Sequence, residues 1–506
     1  MNIADLKQNN KEQIGEQLYT FDFVLFNNEN QMLPLHFSAV KSLDLYDDIL
    51  KWYHYGSAEL NNSFSVLDKA NNVKDKRGNI VNNCWSFRND DQLYLYLNIE
   101  PHLDPSFNKS RTLESETFSM EFMFKVTKVE DIDQGTEEER IKRIEFIDYR
   151  YEIMKNTLSE YSTVPLYESI VPVNERNPDE IGDVYTGDAV KDILSNALGT
   201  VNFTKRFDKG KYITSYTSPH KESYLYDLET MLGRHICSDS AGECPALLKS
   251  NRFVENGNFS LIPLYDLFKN AYDSKSRSSG IFHNEKFTLS NQSTQGSPFG
   301  DGPPPTSVDF NDTSAFHFPD HSVISTYELQ DIQPEFNSAA IKPVEMHNYD
   351  FENKEFRVSN ISMTNIDDEY VNNLTKPVLG SDERTYNTSG SKYTNKDRLV
   401  EFSSSSNHKK SKAYAKNKMI NKLLYNGRKL TFECKGITLR RSMRFISVEH
   451  PNRGKDSDFD KKILGQYLVL GVSHSFTPEG YTNLINAVTT NNAKSTNQEN
   501  GSITNG

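Results

Sequence analysis

The chain has 506 residues, of which 36% are hydrophobic, and a formal net charge of −13. Its length predicts about two to four compact units, and its 26 Tyr and 30 Phe can still build apolar cores. The acidic balance argues against a free nucleic-acid-binding protein, because phosphate binding needs a net basic surface.

Two further classes of protein are disfavoured by the sequence. The longest apolar runs, such as Leu93 to Leu97, are too short to cross a bilayer. Residues 1–16 are polar and of mixed charge, so we expect no secretory signal.

Four cysteines fit a reducing compartment. Cys237 and Cys244 lack the spacing of a zinc knuckle, and we interpret them as two free thiols near a loop.

The N-terminal part of the chain predicts a β-rich unit. Residues 18–40 alternate polar and apolar side chains, which indicates two strands joined by a turn at residues 27–30. Residues 45–52 predict a short helical turn. The next stretches, 92–100 and 117–129, predict further strands.

The middle of the chain predicts strands mixed with helices. Residues 143–155 are strand-like. Helices are expected at 186–194, with a capping Thr or Asp at the start, and at 223–233, which Gly233 can terminate. Residues 253–264 predict two strands joined by an Asn-Gly turn at 256–257.

The C-terminal part of the chain begins with polar segments and ends with strands. Residues 291–307 are rich in Gly, Pro and Ser and predict an exposed loop or linker. Residues 409–425 predict a basic helix. Strands are expected at 429–434, 443–448, 465–475 and 481–489, the last two joined by a hairpin over residues 477–480.

Few residue patterns point to catalysis or metal binding. The chain has no phosphate-binding glycine loop, no His-Glu-x-x-His and no Gly-x-Ser-x-Gly. His317, Asp320 and His321 form the best metal-like group, but Pro319 disfavours the helix that would bring the two histidines together. We therefore favour a solvated loop over a metal site.

Two charged groups have competing interpretations. Asp47 and Asp48 resemble a carboxylate pair, yet adjacent residues on a helix point to different faces, so a helix-start or surface role is favoured over acid–base catalysis. A basic stretch suggests nucleic acid, but a solvated helix face that complements acidic neighbouring subunits is favoured. Its lysines are Lys409, Lys410, Lys412, Lys416, Lys418 and Lys422. The sequence predicts no catalytic, cofactor-binding or metal-binding residues and no cofactor.

Three stretches resemble the central baseplate hub family of contractile-tailed phages, whose relatives include the hub portion of type VI secretion spike proteins. The first is Leu45–Leu60, predicted as a short helix followed by a Gly-containing strand. The second is Thr217–Leu267, a helix followed by a hairpin. The third is Lys412–Asn491, which includes Leu430-Thr-Phe-Glu-Cys-Lys-Gly-Ile-Thr-Leu439 and Tyr467-Leu-Val-Leu-Gly-Val-Ser-His474. The resemblance covers residues 18–290 and 409–491.

This resemblance implies a mainly β fold with some α structure (α+β), in which two similar tail-tube-like β-barrels carry small peripheral α/β insertions. We expect a first barrel at 15–155, completed by 340–365 and 409–492. A second barrel with helices and a long loop is expected at 156–339. Residues 366–408 would be a peripheral insertion, and residues 493–506 a disordered tail.

The resemblance also implies a non-enzymatic function. Three chains would form a homotrimeric adaptor between a sixfold tail tube and a threefold spike, with a channel through which DNA passes without specific binding. The expected partners are the central spike protein, the tail tube protein, baseplate wedge proteins and, as a further candidate, the tape-measure protein. The location would be the virion tail baseplate, after assembly in the host cytoplasm and without membrane insertion. The alternatives are a tail-associated cell-wall hydrolase, a receptor-binding tail protein, and another baseplate or tail component such as a wedge or tube-terminating protein.

Overall fold

The computed structural model shows a mainly β protein with few helices, which confirms the predicted fold class at that level. The residues that it describes are 3–29, 31–63, 67, 74–75, 79–80, 87, 92–102, 119–132, 140–162, 184–207, 212–213, 216, 218–232, 246–250, 258–263, 285–289, 323–324, 326–330, 344–350, 354–361, 397–403, 429–449 and 465–489. Within these ranges, no helix has both the length and the apolar character needed to cross a membrane.

The first eight strands form one part of the main sheet, and we name this part lobe A. They are β1 (Lys11–Ile14), β2 (Gln17–Asn27), β3 (Met32–Leu35), β4 (Val40–Asp48), β5 (Tyr55–Asn61), β6 (Leu93–Pro101), β7 (Met120–Ile132) and β8 (Ile141–Asp148). Their order is β1-β2-β6-β7-β8-β5-β4, with antiparallel neighbours throughout and β3 beside β2. Helix α1 (Ile3–Leu6) precedes β1, and a 3-10 helix (Phe37–Ala39) leads into β4.

Lobe A encloses a core built by alternation along its strands. Phe21, Phe23 and Leu25 of β2 point to the same side, because successive side chains in a strand face opposite sides of the sheet. Phe122 and Phe124 of β7 join them in the same cluster. Aromatic side chains bury large apolar areas, which explains how a chain with modest hydrophobic content builds this core.

A helical module follows lobe A in the chain. It contains α2 (Tyr149–Asn156), β9 (Val184–Tyr185), α3 (Thr186–Leu198), β10 (Asn202–Phe207), β11 (Tyr212–Ile213), α4 (Tyr224–Thr230), β12 (Ala246–Ser250) and β13 (Asn258–Pro263). Strands β10, β13 and β12 form a small sheet in that order. The module has its own core, and Trp52 from the β4–β5 loop packs into it. This tryptophan therefore anchors the module to lobe A.

The remaining strands complete the main sheet and add a separate one. They are β14 (Glu285–Leu289), β15 (Val323–Ile324), β16 (Thr326–Gln330), β17 (Val344–Asp350), β18 (Glu355–Ile361), β19 (Asp397–Ser403), β20 (Lys429–Lys435), β21 (Phe445–Glu449), β22 (Gly465–Thr477) and β23 (Gly480–Thr489). Strands β14–β16 and β20–β23 enclose a third core, and we name this part lobe B. Strands β18, β17 and β19 form a separate sheet in that order.

The pairings of lobe B follow two paths from β22. One runs from β22 to β21, β14 and β15, and the other from β22 to β23, β20 and β16. In the sequence, a single residue separates the end of β15 from the start of β16. The two paths therefore meet at adjacent segments of the chain, around a core that includes Phe287, Phe432 and Tyr467.

Several sequence predictions match the described elements. The hairpin within residues 18–40 is formed by β2 and β3, and the strands predicted at 92–100 and 117–129 correspond to β6 and β7. The two predicted helices correspond to α3 and α4, and Ser223 caps α4 by accepting Tyr226 N–H. The predicted Thr or Asp cap of α3 is wrong, because its N-cap residue is Tyr185 and no side chain makes a capping bond there. The four C-terminal strands correspond to β20–β23.

Two local predictions are wrong. Residues 45–52 do not form a helical turn, since strand β4 extends to Asp48 and a turn follows it. Residues 143–155 are not one strand, because β8 ends at Asp148 and α2 begins at Tyr149. The carboxylate of Asp148 accepts the backbone N–H of Arg150 at 2.9 Å, which caps the new helix.

Other predictions fall on residues outside the described ranges. These include the linker at 291–307, the basic helix at 409–425, the Asn-Gly turn at 256–257 and the tail at 493–506. Strands β12 and β13, which flank residues 251–257, do pair as antiparallel neighbours. Within the predicted insertion at 366–408, only β19 is described.

Candidate functional site

Strand β22 belongs to both lobes. Its first residues, Gly465–Leu468, pair with β21 of lobe B, while Gly471–Phe476 pair with β4 of lobe A. The register against β23 shifts between Val469 and Gly471, at the point where one set of pairings gives way to the other. A bulge of this kind bends a strand and increases its twist. One strand therefore carries the sheet from lobe A into lobe B without a break.

The sheet presents a continuous face opposite to the two cores. Alternation along β4, β5, β22 and β23 places one set of side chains in the cores and the other set on this face, which we name the joint face. The joint face carries Asp44, Tyr46, Tyr55, Ser57, Glu59, Ser473, Ser475, Thr482, Leu484 and Asn486. Most of these side chains are small or polar, and all of them are at least partly exposed.

One cross-strand row on the joint face contains two tyrosines. Leu484 pairs with Ser473, Ser473 with Tyr46, and Tyr46 with Tyr55. The two tyrosine rings stack with their centroids 5.2 Å apart, and the ammonium of Lys51 lies 3.9 Å from the Tyr55 ring centroid. Burial raises the pKa of the Tyr46 hydroxyl, and the nearby Asp44 carboxylate raises it further. Half-exposed tyrosines of this kind are typical of protein contact surfaces.

Two ion pairs lie on and beside the joint face. Arg143 of β8 lies 2.5 Å from the Glu59 carboxylate, and Lys128 of β7 lies 2.6 Å from Glu130. Hydrogen bonding to Lys128 lowers the pKa of Glu130, and hydrogen bonding to Glu59 raises the pKa of Arg143. Exposed pairs contribute little to stability. Their effect here is to offset charge, so this part of the surface is mixed in sign and not strongly acidic.

Asp47 connects three parts of the molecule on the opposite side of β4. Its Oδ1 lies 3.1 Å from the ammonium of Lys249 on β12. Its two oxygens also accept the hydroxyl of Ser442 at 2.8 Å and the backbone N–H of Ser442 at 3.1 Å. Asp47 is 6% exposed, so the predicted surface role of this residue is wrong. Asp48 instead accepts Leu50 N–H at 2.8 Å within the turn.

A second buried polar group lies within β20, β22, β23 and the β20–β21 connection. It contains Cys434, Arg440, His474, Tyr481 and Asn483, each no more than 8% exposed. Residue types that often serve in catalysis are present, yet all five are enclosed by the fold. We therefore assign this group to packing rather than to chemistry on an external substrate.

The metal-like histidine group, for which the sequence favours a solvated loop, and several other candidates lie outside the described residues. This applies to His317, Asp320, His321, Cys237 and Cys244, and also to the six lysines between 409 and 422. In the part of the chain that is described, no group of three or more His, Cys, Asp or Glu residues is placed to hold a metal ion.

Sequence reasoning missed the residues that join the parts of the molecule. Lys249, Ser442 and Asn483 stand in unremarkable contexts in the sequence. Each becomes significant only because a distant segment supplies its partner.

Comparison with known proteins gave matches among solved structures only. No protein-family model matches the chain, and no curated protein sequence matches it. The chain is similar to the 43 kDa tail protein of prophage MuSo2 from Shewanella oneidensis, with 8% identity, 92% of this chain and 96% of that chain covered, and a TM-score of 0.44. It is also similar to the tail protein from Neisseria meningitidis MC58, with 8% identity, 93% and 96% covered, and a TM-score of 0.46.

A third similar structure is the half-lidded Francisella PdpA-VgrG complex, with 9% identity, 96% of this chain and 60% of that chain covered, and a TM-score of 0.42. The similar structures are thus phage tail proteins and spike-related proteins, the two groups that the sequence resemblance named. Similarities of this size assign no function to the chain.

Proposed function

We propose that the chain is a non-enzymatic structural hub of a contractile phage tail baseplate. Strand β22 carries the proposal, because it holds lobe A and lobe B side by side in one sheet. Each chain thereby offers two sheet lobes with separate cores. In a trimer the lobes would form a ring of six, which suits an adaptor between a sixfold tail tube and a threefold spike.

In this proposal, lobe A and lobe B are the two tail-tube-like barrels. Lobe A corresponds to the first barrel at 15–155. We expected residues 340–365 and 409–492 to complete the first barrel. The pairing of β20 with β16, and of β21 with β14, instead supports assigning residues 429–489 to the second barrel together with β14–β16. The helical module and the β17–β19 sheet are then peripheral additions. The proposed binding partners of the hub are the spike, the tail tube, the wedge proteins and the tape-measure protein.

The joint face is our candidate for the lining of the central channel. Small polar side chains such as Ser57, Ser473 and Ser475 keep this face smooth, and Glu59 and Glu130 offset the charges of Arg143 and Lys128 beside it. A surface of this kind offers DNA phosphates little net attraction. DNA could then pass without sticking during ejection.

The oligomeric state tests the adaptor. We expect multi-angle light scattering of the pure protein, alone or with the central spike, to give a trimer, and electron microscopy to show a ring that binds the end of a tail tube. A stable monomer at micromolar concentration in the presence of the spike would contradict the proposal.

Cysteine labelling tests the channel lining separately. Ser57→Cys and Ser475→Cys should react with a small maleimide in the assembled ring, but only slowly with a bulky polymer-linked maleimide once the tube and spike are bound. Lys155→Cys on α2, with 56% of its side chain exposed, is the matched control and should react with both reagents. Equal reaction of all three variants with the bulky reagent would remove the joint face from the channel.

Incubation with peptidoglycan tests the enzymatic alternative. We expect mass spectrometry to detect no released muropeptides. Release that is abolished by replacing a single carboxylate would favour a cell-wall hydrolase over a structural hub.

A further inference from the structure

Three cross-strand rows lie on the outer side of lobe A, opposite its core, on strands β2, β6 and β7. Asp22, Asn98 and Glu121 form the first row, Val24, Tyr96 and Met123 the second, and Phe26, Tyr94 and Lys125 the third. Val24 and Tyr96 are both 0% exposed, although they face away from the core of lobe A. Another segment of the chain therefore covers this side of the sheet.

The covering segment is residues 3–10, which we name the arm. Leu6 in the arm is 0% exposed and packs in one cluster with Val24, Phe26, Met32 and Tyr96. It is the one buried side chain among these eight residues. Helix α1, which carries it, has only four residues, and a single helical turn is not stable by itself. Packing on lobe A therefore holds the arm in its helical form.

Two buried carboxylates of the first row bind the part of the arm that follows Leu6. The ammonium of Lys7 lies 3.0 Å from Oε1 of Glu121, and the Tyr96 hydroxyl donates to the same oxygen at 2.7 Å. Asp22 accepts the backbone N–H of Asn10 at 3.1 Å. Glu121 is 5% exposed and Asp22 is 0% exposed, and buried carboxylates need such donors. A segment that replaces the arm must therefore bring a cation and a free backbone N–H.

We propose that this outer pocket of lobe A is a docking site for a short segment of a partner protein, in which an apolar side chain is followed directly by a cation. The arm, with Leu6 followed by Lys7, occupies the pocket as an internal competitor. Its seated side chains show what the pocket selects, because the second row receives the apolar group and the first row receives the charge. This inference does not depend on the proposed hub function.

Few contacts keep the arm in place, which suits a segment that a partner displaces. Lys7 keeps 34% of its side chain exposed, and the Lys74 ammonium lies 3.5 Å from Gln8 Oε1, at the long end of the range for a hydrogen bond. Segments with few buried apolar contacts open at a low cost in free energy. The apparent affinity of the pocket for a partner is then its intrinsic affinity reduced by the fraction of molecules in which the arm is open.

Peptide binding to the full chain tests the pocket. The probe is a fluorescein-labelled peptide with the sequence of residues 3–10, and fluorescence anisotropy measures its affinity. In Leu6→Ser/Lys7→Gln the chain's own arm competes poorly, so we expect the probe to bind at least about tenfold more tightly than to the parent. Lys7→Gln alone keeps the apolar contact and should give a smaller gain. Leu50→Ser, at a leucine that is 58% exposed, is the matched control and should bind the probe as the parent does.

Hydrogen–deuterium exchange of residues 3–10 shows whether the arm has left the pocket. Faster exchange in the double variant together with probe binding would support the proposal. Faster exchange without probe binding would overturn it, because the pocket would then accept only a tethered arm. Unchanged protection in the double variant would overturn it too, since Leu6 and Lys7 would not be the residues that the pocket holds.

Variant peptides separate recognition of the stated pattern from other binding. The Leu6→Ser peptide should bind the double variant at least about tenfold more weakly than the probe does, and the Leu6→Met peptide should stay within about tenfold of the probe. Binding restricted to the chain's own sequence would indicate exchange of arms between copies and would overturn the proposal of a partner segment.

Glu121→Gln, added to the double variant, tests the charge. It keeps the shape of the side chain and an acceptor for the Tyr96 hydroxyl, so the preference for the probe over its Lys7→Gln form should disappear. A preference that survives would show that Glu121 does not select the cation.

Discussion

The ammonium of Lys249 lies 3.1 Å from Oδ1 of Asp47, although 202 residues separate them in the chain. The same ammonium donates to the carbonyl of Lys51 at 2.9 Å and to the carbonyl of Asp48. Because Asp47 also binds Ser442, one carboxylate joins the helical module, lobe A and the β20–β21 connection. Both charges are largely buried, with side chains 15% and 7% exposed.

Replacement of Lys249 should destabilise the protein strongly. Lys249→Met would remove the cation that lies 3.1 Å from the buried Asp47 carboxylate, and removal of one partner of a buried pair costs about 3–5 kcal/mol. The free energy of unfolding from chemical denaturation measures this loss. Lys155→Met removes an exposed lysine that lies 3.7 Å from Glu152, and this control should change stability by less than about 1 kcal/mol.

A double variant separates charge from packing at this joint. In Asp47→Asn/Lys249→Met both members of the ion pair are neutral, so the loss should be smaller than the sum of the two single losses. If the loss in the double variant equals the sum of the two single losses, then Asp47 and Lys249 have no coupling energy and packing alone stabilises this joint.

Gly56 of β5 should not tolerate a side chain. A Cβ atom at this position would lie 2.2 Å from the Asp44 carbonyl oxygen and 2.8 Å from the Phe146 ring. Backbone and a packed core ring cannot both move away, so we expect Gly56→Ala to destabilise by about 3 kcal/mol or to prevent folding. Thermal unfolding and soluble yield measure the effect.

Gly471 of β22 provides the matched control. Its added Cβ would lie 3.4 Å from the Asp47 carbonyl oxygen, which is close to an ordinary contact. Gly471→Ala should therefore cost less than about 1 kcal/mol. Equal losses for the two variants would mean that the close approach of β4 and β5 at Gly56 does not limit stability.

The strands of lobe A could be predicted because their signal is local. Phe21, Phe23 and Leu25 alternate with polar or outward-facing residues, and a period of two indicates a strand without knowledge of its partners. The hairpin of β22 and β23 was equally accessible, since Pro478 and Gly480 mark its turn. Local periodicity and turn residues are therefore sufficient to predict a mainly β fold.

The joint between the lobes could not be predicted, because its signals are not local. Leu45, Ile49 and Trp52 have the three-to-four spacing of a helix, and only pairing with β5 and β22 makes the segment a strand. Asp47 looks like a surface carboxylate until Lys249 and Ser442 are placed beside it. Tertiary partners override local propensity at such positions.

The hydrogen bond from Tyr216 to the buried Asp227 carboxylate should make the free energy of unfolding fall in alkaline solution. Tyr216 donates its hydroxyl to Asp227 Oδ1 at 2.6 Å, and Ser159 donates to the other oxygen. Burial, followed by the hydrogen bond to Asp227 and the charge of that carboxylate, raises the pKa of Tyr216 above the ordinary value of 10.0. The folded state therefore holds this proton more tightly than the unfolded chain does.

The sign of the effect follows from this difference in proton binding. The contribution of Tyr216 is complete below the unfolded pKa of about 10 and is lost as the pH rises further, by up to about 1.4 kcal/mol per pH unit. Tyr216→Phe should be less stable than the parent at pH 7 by about 1.5–3 kcal/mol, because it lacks the bond to a charged acceptor. Its deficit should shrink above about pH 10.

Urea unfolding of parent and Tyr216→Phe at neutral and alkaline pH measures both effects in the same pair of proteins. Tyr327→Phe removes a hydroxyl from a side chain that is 39% exposed, and it controls for general effects of alkaline solution. Burial also raises the pKa of Tyr19 and Tyr161, so the parent should still lose stability in alkali after Tyr216 is replaced. A Tyr216→Phe deficit that is constant or grows with pH would show that the Tyr216–Asp227 bond does not hold the phenol proton in the folded state.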